Sequence, residues 1–194
     1  MTVLRGVLLA PGASASRDQP ALVALDSALT ASGLLVRRMD FPYRQAGRRA
    51  PDRQPVLVAA VVAEAASLAT EAGVDPGAIV LGGRSMGGRM CSIAVAEGLP
   101  AAGLVLISYP LHPPGRPERR RTEHFPTLAV PCLFVSGTRD AFGSPDELTA
   151  ATAAIAGPVT HHWLEGKDHG MRGADAAVTA VVGSWLAQLD RGST

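Results

Sequence analysis

Ser85 lies in the stretch VLGGRSMGGRM, residues 80–90, with two glycines shortly before it and two shortly after. Gly83, Ser85 and Gly87 form a G-x-S-x-G pattern. An apolar run precedes it and a helix-compatible run, Met86–Glu97, follows, which is the context of a nucleophilic serine on a sharp strand-to-helix turn. A Cβ at position 83 or 87 would collide with neighbouring chain in such a turn, and glycine avoids the collision. Gly82 and Gly88 relax packing on either side. The competing readings are an idle serine on a glycine-rich turn and a phosphate-binding loop. The segment has neither the G-x-x-x-x-G-K-[ST] nor the G-x-G-x-x-G form that a phosphate loop requires.

A serine hydroxyl needs a base, and the base needs an orienting carboxylate. LFVSGTRDAFG sets Asp140 just past one apolar run, and HHWLEGKDHGM sets His169 just past the next. Asp146 and Asp168 compete for the role of the acid. Asp146 is better placed in the first turn of a helix, where a carboxylate is favoured electrostatically. Asp168 would point away from its neighbour in an extended chain. His161 and His162 fall inside a strand, where packing or surface roles are expected. His112 and His124 lie on a long loop with no specified role. An acyl-transfer site also needs oxyanion donors. The expected ones are the N–H of Met86 and an N–H from the loop APGASAS, with Ala13 preferred and Gly12 the alternative.

These groups can meet only if the elements carrying them share one edge. Apolar runs at Val3–Ala10, Leu34–Met39, Ala78–Leu81, Leu104–Ser108, Cys132–Ser136 and Val159–Leu164 read as strands. Helical patterns fall between them, from Pro20 to Gly33, Pro55 to Ala72, Met86 to Glu97 and Pro145 to Ala156. A final helix aligns Val178, Val181, Val182, Trp185 and Leu189. Several strands are continuously apolar, as expected of a parallel sheet covered on both faces. The expectation is a single doubly wound α/β domain over residues 1–194, with about six parallel strands. Ligands of such sheets bind beyond the carboxyl ends of the strands, where Ser85, Asp140 and His169 would all lie.

Composition narrows the function further. A net charge of +1 supplies no global field for nucleic acid or an anionic membrane. The run RPERRRTEH, residues 116–124, is diluted by its glutamates and reads as a solvated loop, with an anion-binding patch as the alternative; whether Arg119–Arg121 meets an anionic substrate is left open by the sequence. The apolar stretch from Val56 is interrupted by Glu64, short of the roughly 20 residues of a spanning helix. MTVLRGVLLAPG does not match a secretory signal, so a cytoplasmic location is the default. Cys91 and Cys132 lack C-x-x-C spacing and read as inert core thiols.

The segments GGRSMGGRM, YPLHPPGRPERRRTEH, LFVSGTRDAFG and LEGKDHGM together resemble the small α/β-hydrolases related to dienelactone hydrolases. More narrowly, they resemble a mostly bacterial group of predicted hydrolases. Its eukaryotic relatives include a testis-expressed protein and a subunit of a histone-acetyltransferase complex. The resemblance covers nearly the whole chain. It implies a compact α/β-hydrolase fold without the two amino-terminal strands or a large cap domain, and Ser85, Asp140 and His169 as the triad. Two departures stand out. Pro11 precedes Gly12 where the family often has a His-Gly pair, and serine stands where dienelactone hydrolases carry a cysteine nucleophile.

The resulting expectation is a carboxylesterase-like serine hydrolase acting on a small-molecule ester or related acyl substrate through an acyl-enzyme. It needs no metal or organic cofactor, no nucleic acid and no membrane. Acyl transfer to an acceptor other than water would use the same residues, and the oligomeric state is open. Pocket walls are expected from Phe41, Tyr43, Tyr109, Leu111, Phe142 and Met171. The alternative is a catalytically silent binding or scaffold protein that keeps the hydrolase shell.

Overall fold

In the computed structural model, which describes residues 4–192, six strands alternate with helices along the chain. The strands are β1 (Gly6–Ala10), β2 (Leu35–Arg38), β3 (Ile79–Arg84), β4 (Gly103–Ile107), β5 (Cys132–Gly137) and β6 (Val159–Leu164). The helices are α1 (Pro20–Ala31), α2 (Pro42–Gln45), α3 (Gln54–Ala72), α4 (Met86–Ala96), α5 (Pro145–Thr152) and α6 (Asp175–Gly192). The strands form one sheet in the order β2-β1-β3-β4-β5-β6, with every neighbouring pair parallel. Val3, where the sequence pattern starts the first strand, lies outside the described residues.

Period-two alternation divides the apolar strands between two cores. Leu8, Leu81, Leu104, Leu106 and Phe134 pack with Leu57 and Val61 of α3 and with Met90 and Cys91 of α4. Val7, Leu9, Val80, Val105 and Val135 pack on the other face with Leu22 and Leu25 of α1 and with Val178 and Val182 of α6. Burying both faces explains why these strands carry no polar alternation. The two cysteines are free and fully buried, and burial pushes both thiols up to about 12. They are chemically quiet core groups.

Several boundaries differ from the sequence pattern for identifiable reasons. β3 continues through Gly82, Gly83 and Arg84, because these pair with Val105, Leu106 and Ile107 in the ladder. Ladder pairing there overrides the weak strand preference of glycine. α5 stops at Thr152 rather than Ala156; its start is fixed by a capping box between Ser144 and Glu147. The short α2 was not expected, although Pro42 at its first turn suits a helix start.

α3 runs for 19 residues straight through Glu64, which pairs with Arg37 at 3.4 Å. Among the described residues it is the one helix long and apolar enough to cross a membrane by length and composition, contrary to the shorter run read from the sequence. Here it lies on the sheet, with Leu57, Val58, Val61, Ala65, Leu68 and Ala69 buried.

The chain order reverses direction between β1 and β3, so the loops after these strands diverge and leave a crevice. No separate cap domain covers that edge among the described residues.

Candidate active site

Ser85 occupies the single-residue turn between β3 and α4, with φ 51° and ψ −115°. A non-glycine residue in that region carries strain of roughly 1–3 kcal/mol, and its surroundings must hold it there. They do so by close packing. The Ser85 N–H donates to the Ile107 carbonyl at 2.8 Å, tying the turn to β4. The end of β1 passes so near that a Cβ on Gly83 or on Gly87 would come within 2.2 Å of the Ala10 carbonyl oxygen. Gly82 and Gly88 also abut backbone, at Val105 and Gly83, so they do more than relax packing.

Asp140 follows β5 and His169 follows β6, and hydrogen bonds tie the two loops together. Arg139 N–H donates to the Lys167 carbonyl at 2.9 Å, and Thr138 N–H to the Leu164 carbonyl at 3.1 Å. His169 Nδ1 then lies 2.8 Å from Asp140 Oδ2 and 3.0 Å from Oδ1, while Nε2 lies 2.9 Å from Ser85 Oγ. The Asp140 side chain is 2% exposed and that of His169 22%, so the carboxylate is buried behind an imidazole that still meets solvent. Asp140 Oδ1 also accepts the Phe142 N–H at 2.8 Å. The Phe142 ring stacks on the imidazole with centroids 4.0 Å apart and planes at 28°. Arg84, directly before the serine, donates to the His169 carbonyl and clamps the histidine loop to the end of β3. Burial pushes the Arg84 guanidinium below its ordinary value, and nearby Asp175, Asp140 and Asp168 oppose that shift.

Ser85 and His169 open onto a cleft of about 540 Å³ that also reaches Gly12, Ala13 and Met86. The Gly12 N–H is committed to Gln19 Oε1 at 3.1 Å. The Ala13 amide and the Met86 amide, which is the first of α4, carry no such partner among the described residues. The Met86 donor follows the serine at the start of a helix, where developing negative charge is favoured, and Ala13 lines the same cleft. A hydroxyl bonded to an imidazole, itself bonded to a carboxylate, can shed its proton as it attacks a carbonyl.

Of the six side chains expected as pocket walls, Phe142 lines this cleft. Phe41, Tyr43, Tyr109, Leu111 and Met171 do not; each is at most 2% exposed and belongs to the core. They are large apolar groups near the edge, and burial stabilises them more than a solvated wall would. The two tyrosine hydroxyls find backbone partners instead, Tyr43 accepting from Ser14 N–H and Tyr109 donating to the Arg121 carbonyl.

The competing residues fall elsewhere. Asp146 is in the first turn of α5, and Asp168 accepts the Gly170 N–H at 2.9 Å, which shapes the histidine loop. His161 stacks between Phe134 and Trp163, and His162 lines a separate hollow against α6. His112 is buried with Nδ1 against the Pro113 carbonyl, and His124 bonds Ser92.

Sequence reasoning did not single out Arg84, Arg89, Arg121, Gln54 and Leu57 as lining residues. Arg89 was findable, since a residue four positions after Ser85 on a helix shares its face. Arg121 belongs to the basic run whose contact with an anionic substrate the sequence leaves open, and nothing local marks Gln54 or Leu57; packing of α3 and of the 108–131 loop brings all three in.

A family model described as Alpha/beta hydrolase domain matches residues 4–180. Among solved structures, the chain is similar to Est1E from Butyrivibrio proteoclasticus, at 14% identity over 97% of this chain and 89% of that one, with a TM-score of 0.78. It is similar to a dienelactone hydrolase from Anabaena variabilis, at 19% identity over 96% and 87%, with a TM-score of 0.74. An alpha-beta serine hydrolase homologue from Coxiella burnetii matches at 18% identity over 98% and 85%, also with a TM-score of 0.74. At these identities the likeness is one of fold.

Proposed function

The chain belongs to the Alpha/beta hydrolase domain family, and from that premise we propose that it is a serine hydrolase cleaving a small ester or related acyl compound. One observation carries this reading: the unbroken hydrogen-bonded series Ser85–His169–Asp140 at the mouth of a cleft, with the serine in a strained, positive-φ turn. The serine hydrolase homologue and the dienelactone hydrolase that share this fold are in keeping with it.

In this reading the Nδ1–H of neutral His169 donates to Asp140, which leaves Nε2 as the acceptor facing the serine hydroxyl. Ser85 Oγ attacks the substrate carbonyl carbon as its proton passes to Nε2. The carbonyl oxygen gains negative charge and is met by the Met86 and Ala13 amides, each lowering the barrier by about 3 kcal/mol. The imidazolium, stabilised by the Asp140 carboxylate, returns its proton to the leaving alcohol, and an acyl-serine remains. Water, deprotonated by the same Nε2, releases the acid and restores the hydroxyl. Asp140 is held by the Phe142 N–H as well as by the histidine, so it keeps the imidazole oriented through both half-reactions. None of these steps calls on a metal or organic cofactor. Two unpaired, buried cysteines suit a reducing compartment, which supports a cytoplasmic location.

A fluorophosphonate probe tests the proposal directly. Labelling of the parent at Ser85, absent from Ser85→Ala, is expected; an unlabelled parent that hydrolyses no short-chain nitrophenyl ester would overturn it.

A further inference from the structure

The cleft that receives Ser85 is lined by three arginines, Arg84, Arg89 and Arg121. None of the three forms a salt bridge with a carboxylate among the described residues. Arg84 has a defined task, holding the His169 carbonyl. Arg89 and Arg121 do not. A guanidinium offers five N–H donors, yet Arg89 makes one side-chain bond, to Gln54 Oε1 at 3.0 Å, and its Nε is buried without a partner. Arg121 makes one long side-chain bond, to the Pro110 carbonyl at 3.4 Å. The one carboxylate on the cleft wall, Asp52, is engaged through Oδ1 by Arg48 at 2.7 Å, while its Oδ2 is buried without a hydrogen-bond partner.

Two half-buried cations lining one cleft repel each other. Burial and then Arg89 push the Arg121 guanidinium below its ordinary value, and the same two causes depress His124 beside them. Tyr109 opposes the shift at Arg121 and Glu123 that at His124, both as smaller effects than burial. The backbone of Arg121 is nevertheless fixed in place. Its N–H donates to the Leu111 carbonyl at 2.8 Å, and its own carbonyl accepts from Tyr109 at 2.6 Å. Its neighbours Arg119 and Arg120 are exposed, so one arginine of the RPERRRTEH run is turned to the cleft and the others are not. Leu57, Met86, Met90, Pro110 and Phe142 supply apolar wall around the same space.

We propose that the substrate carries an anionic group, a carboxylate or phosphate, which Arg89 and Arg121 bind by charge-assisted hydrogen bonds while its scissile carbonyl rests at Ser85. This rests on the serine hydrolase reading and names its substrate class. Planar guanidinium forks match the paired oxygens of either anion. An unfilled pair of forks strengthens discrimination, because a neutral substrate displaces water from these donors without replacing its hydrogen bonds.

The test compares kcat/KM for anionic and neutral esters: 4-nitrophenyl hemiglutarate against 4-nitrophenyl butyrate, which share a leaving group, and 4-acetoxybenzoate against 4-acetoxytoluene, which share the acetyl group. At least one anionic ester should be preferred by about tenfold, mainly through KM, with the preference shrinking as salt rises. Arg89→Gln and Arg121→Gln should each collapse that ratio toward one, while Arg119→Gln should leave the ratio intact. Inorganic phosphate and glutarate serve as competitors. Stronger, Arg121-dependent inhibition by phosphate assigns the anion as phosphate, and stronger inhibition by glutarate assigns it as carboxylate. Absence of both preference and arginine-dependent inhibition overturns the proposal, as does a preference that survives the double variant. Fluorophosphonate labelling of Ser85 in each variant confirms an intact nucleophile. Loss of labelling in the parent itself would instead remove the hydrolase reading.

Discussion

His169 Nε2 stands 2.9 Å from Ser85 Oγ although 84 residues separate the two along the chain. The contact joins the end of β6 to the end of β3, with two strands between them in the sheet. It therefore depends on loops that reach across the edge: the β6–α6 loop is held down by Arg84 on one side and by the β5 loop on the other.

Removing a member of the series should abolish turnover without unfolding the protein. Ser85→Ala and His169→Gln are each expected to lower kcat for a short-chain nitrophenyl ester by about 10⁴-fold or more. Asp140→Asn should cost about 10⁴-fold through the wrong imidazole tautomer. Steady-state kinetics beside far-UV circular dichroism checks both halves of the claim. A Ser85→Ala protein as active as the parent would end the assignment.

Arg84 acts through the histidine loop rather than on substrate. Arg84→Met should reduce kcat by about tenfold with little change in KM, because a loosened imidazole is presented less often in the reactive geometry. A pure KM effect would contradict a positioning role. Arg84→Lys, which keeps a donor for the His169 carbonyl, should recover part of the loss.

The elbow itself leaves no room for a methyl group. Gly87→Ala would force a Cβ to 2.2 Å from the Ala10 carbonyl oxygen. Overpacking of this kind costs about 1–3 kcal/mol or more. The expected result is a lower urea midpoint together with lost activity, since β1 or the turn must move. An unchanged midpoint would show that the turn is not confined as described.

His124 makes stability fall in mild acid. Burial first, then Arg89, pushes its imidazole down to about 4 from an ordinary value near 6.5. The unfolded chain therefore binds more protons between those values, and stability rises with pH across that window. The contribution is complete above about pH 6.5 and is lost as the medium falls toward pH 4. Burial shifts His161 in the same direction. Urea midpoints at pH 7.5 and pH 5 should differ more for the parent than for His124→Gln, which keeps a hydrogen-bonding group toward Ser92 and cannot titrate there. Equal pH differences in the two proteins would contradict the assignment.

Much of this architecture was legible in the residues themselves. Continuous apolar runs at Ile79–Leu81, Leu104–Ile107 and Cys132–Val135 specify strands buried on both faces, because only that environment rewards apolar groups at successive positions. The glycines at 83 and 87 specify a turn against close backbone, because only a missing Cβ tolerates that approach. Asp140 and His169 were legible because each directly follows an apolar strand, and a parallel sheet delivers all such positions to one edge.

The cleft lining was not legible, since it depends on which side chains the packing leaves uncovered. Phe41, Tyr43, Tyr109, Leu111 and Met171 have the composition of a binding wall, yet they gain more free energy inside the core, where each is at most 2% exposed. Arg121 carries no local mark separating it from Arg119 and Arg120. Only the tertiary anchoring of its backbone to Leu111 and Tyr109 turns it inward. Periodicity and glycine placement act within a few residues, so the sequence alone determined the strands, the turn and the edge they share. Choosing among side chains at that edge is a competition between distant surfaces for burial, and that was decided by the folded structure.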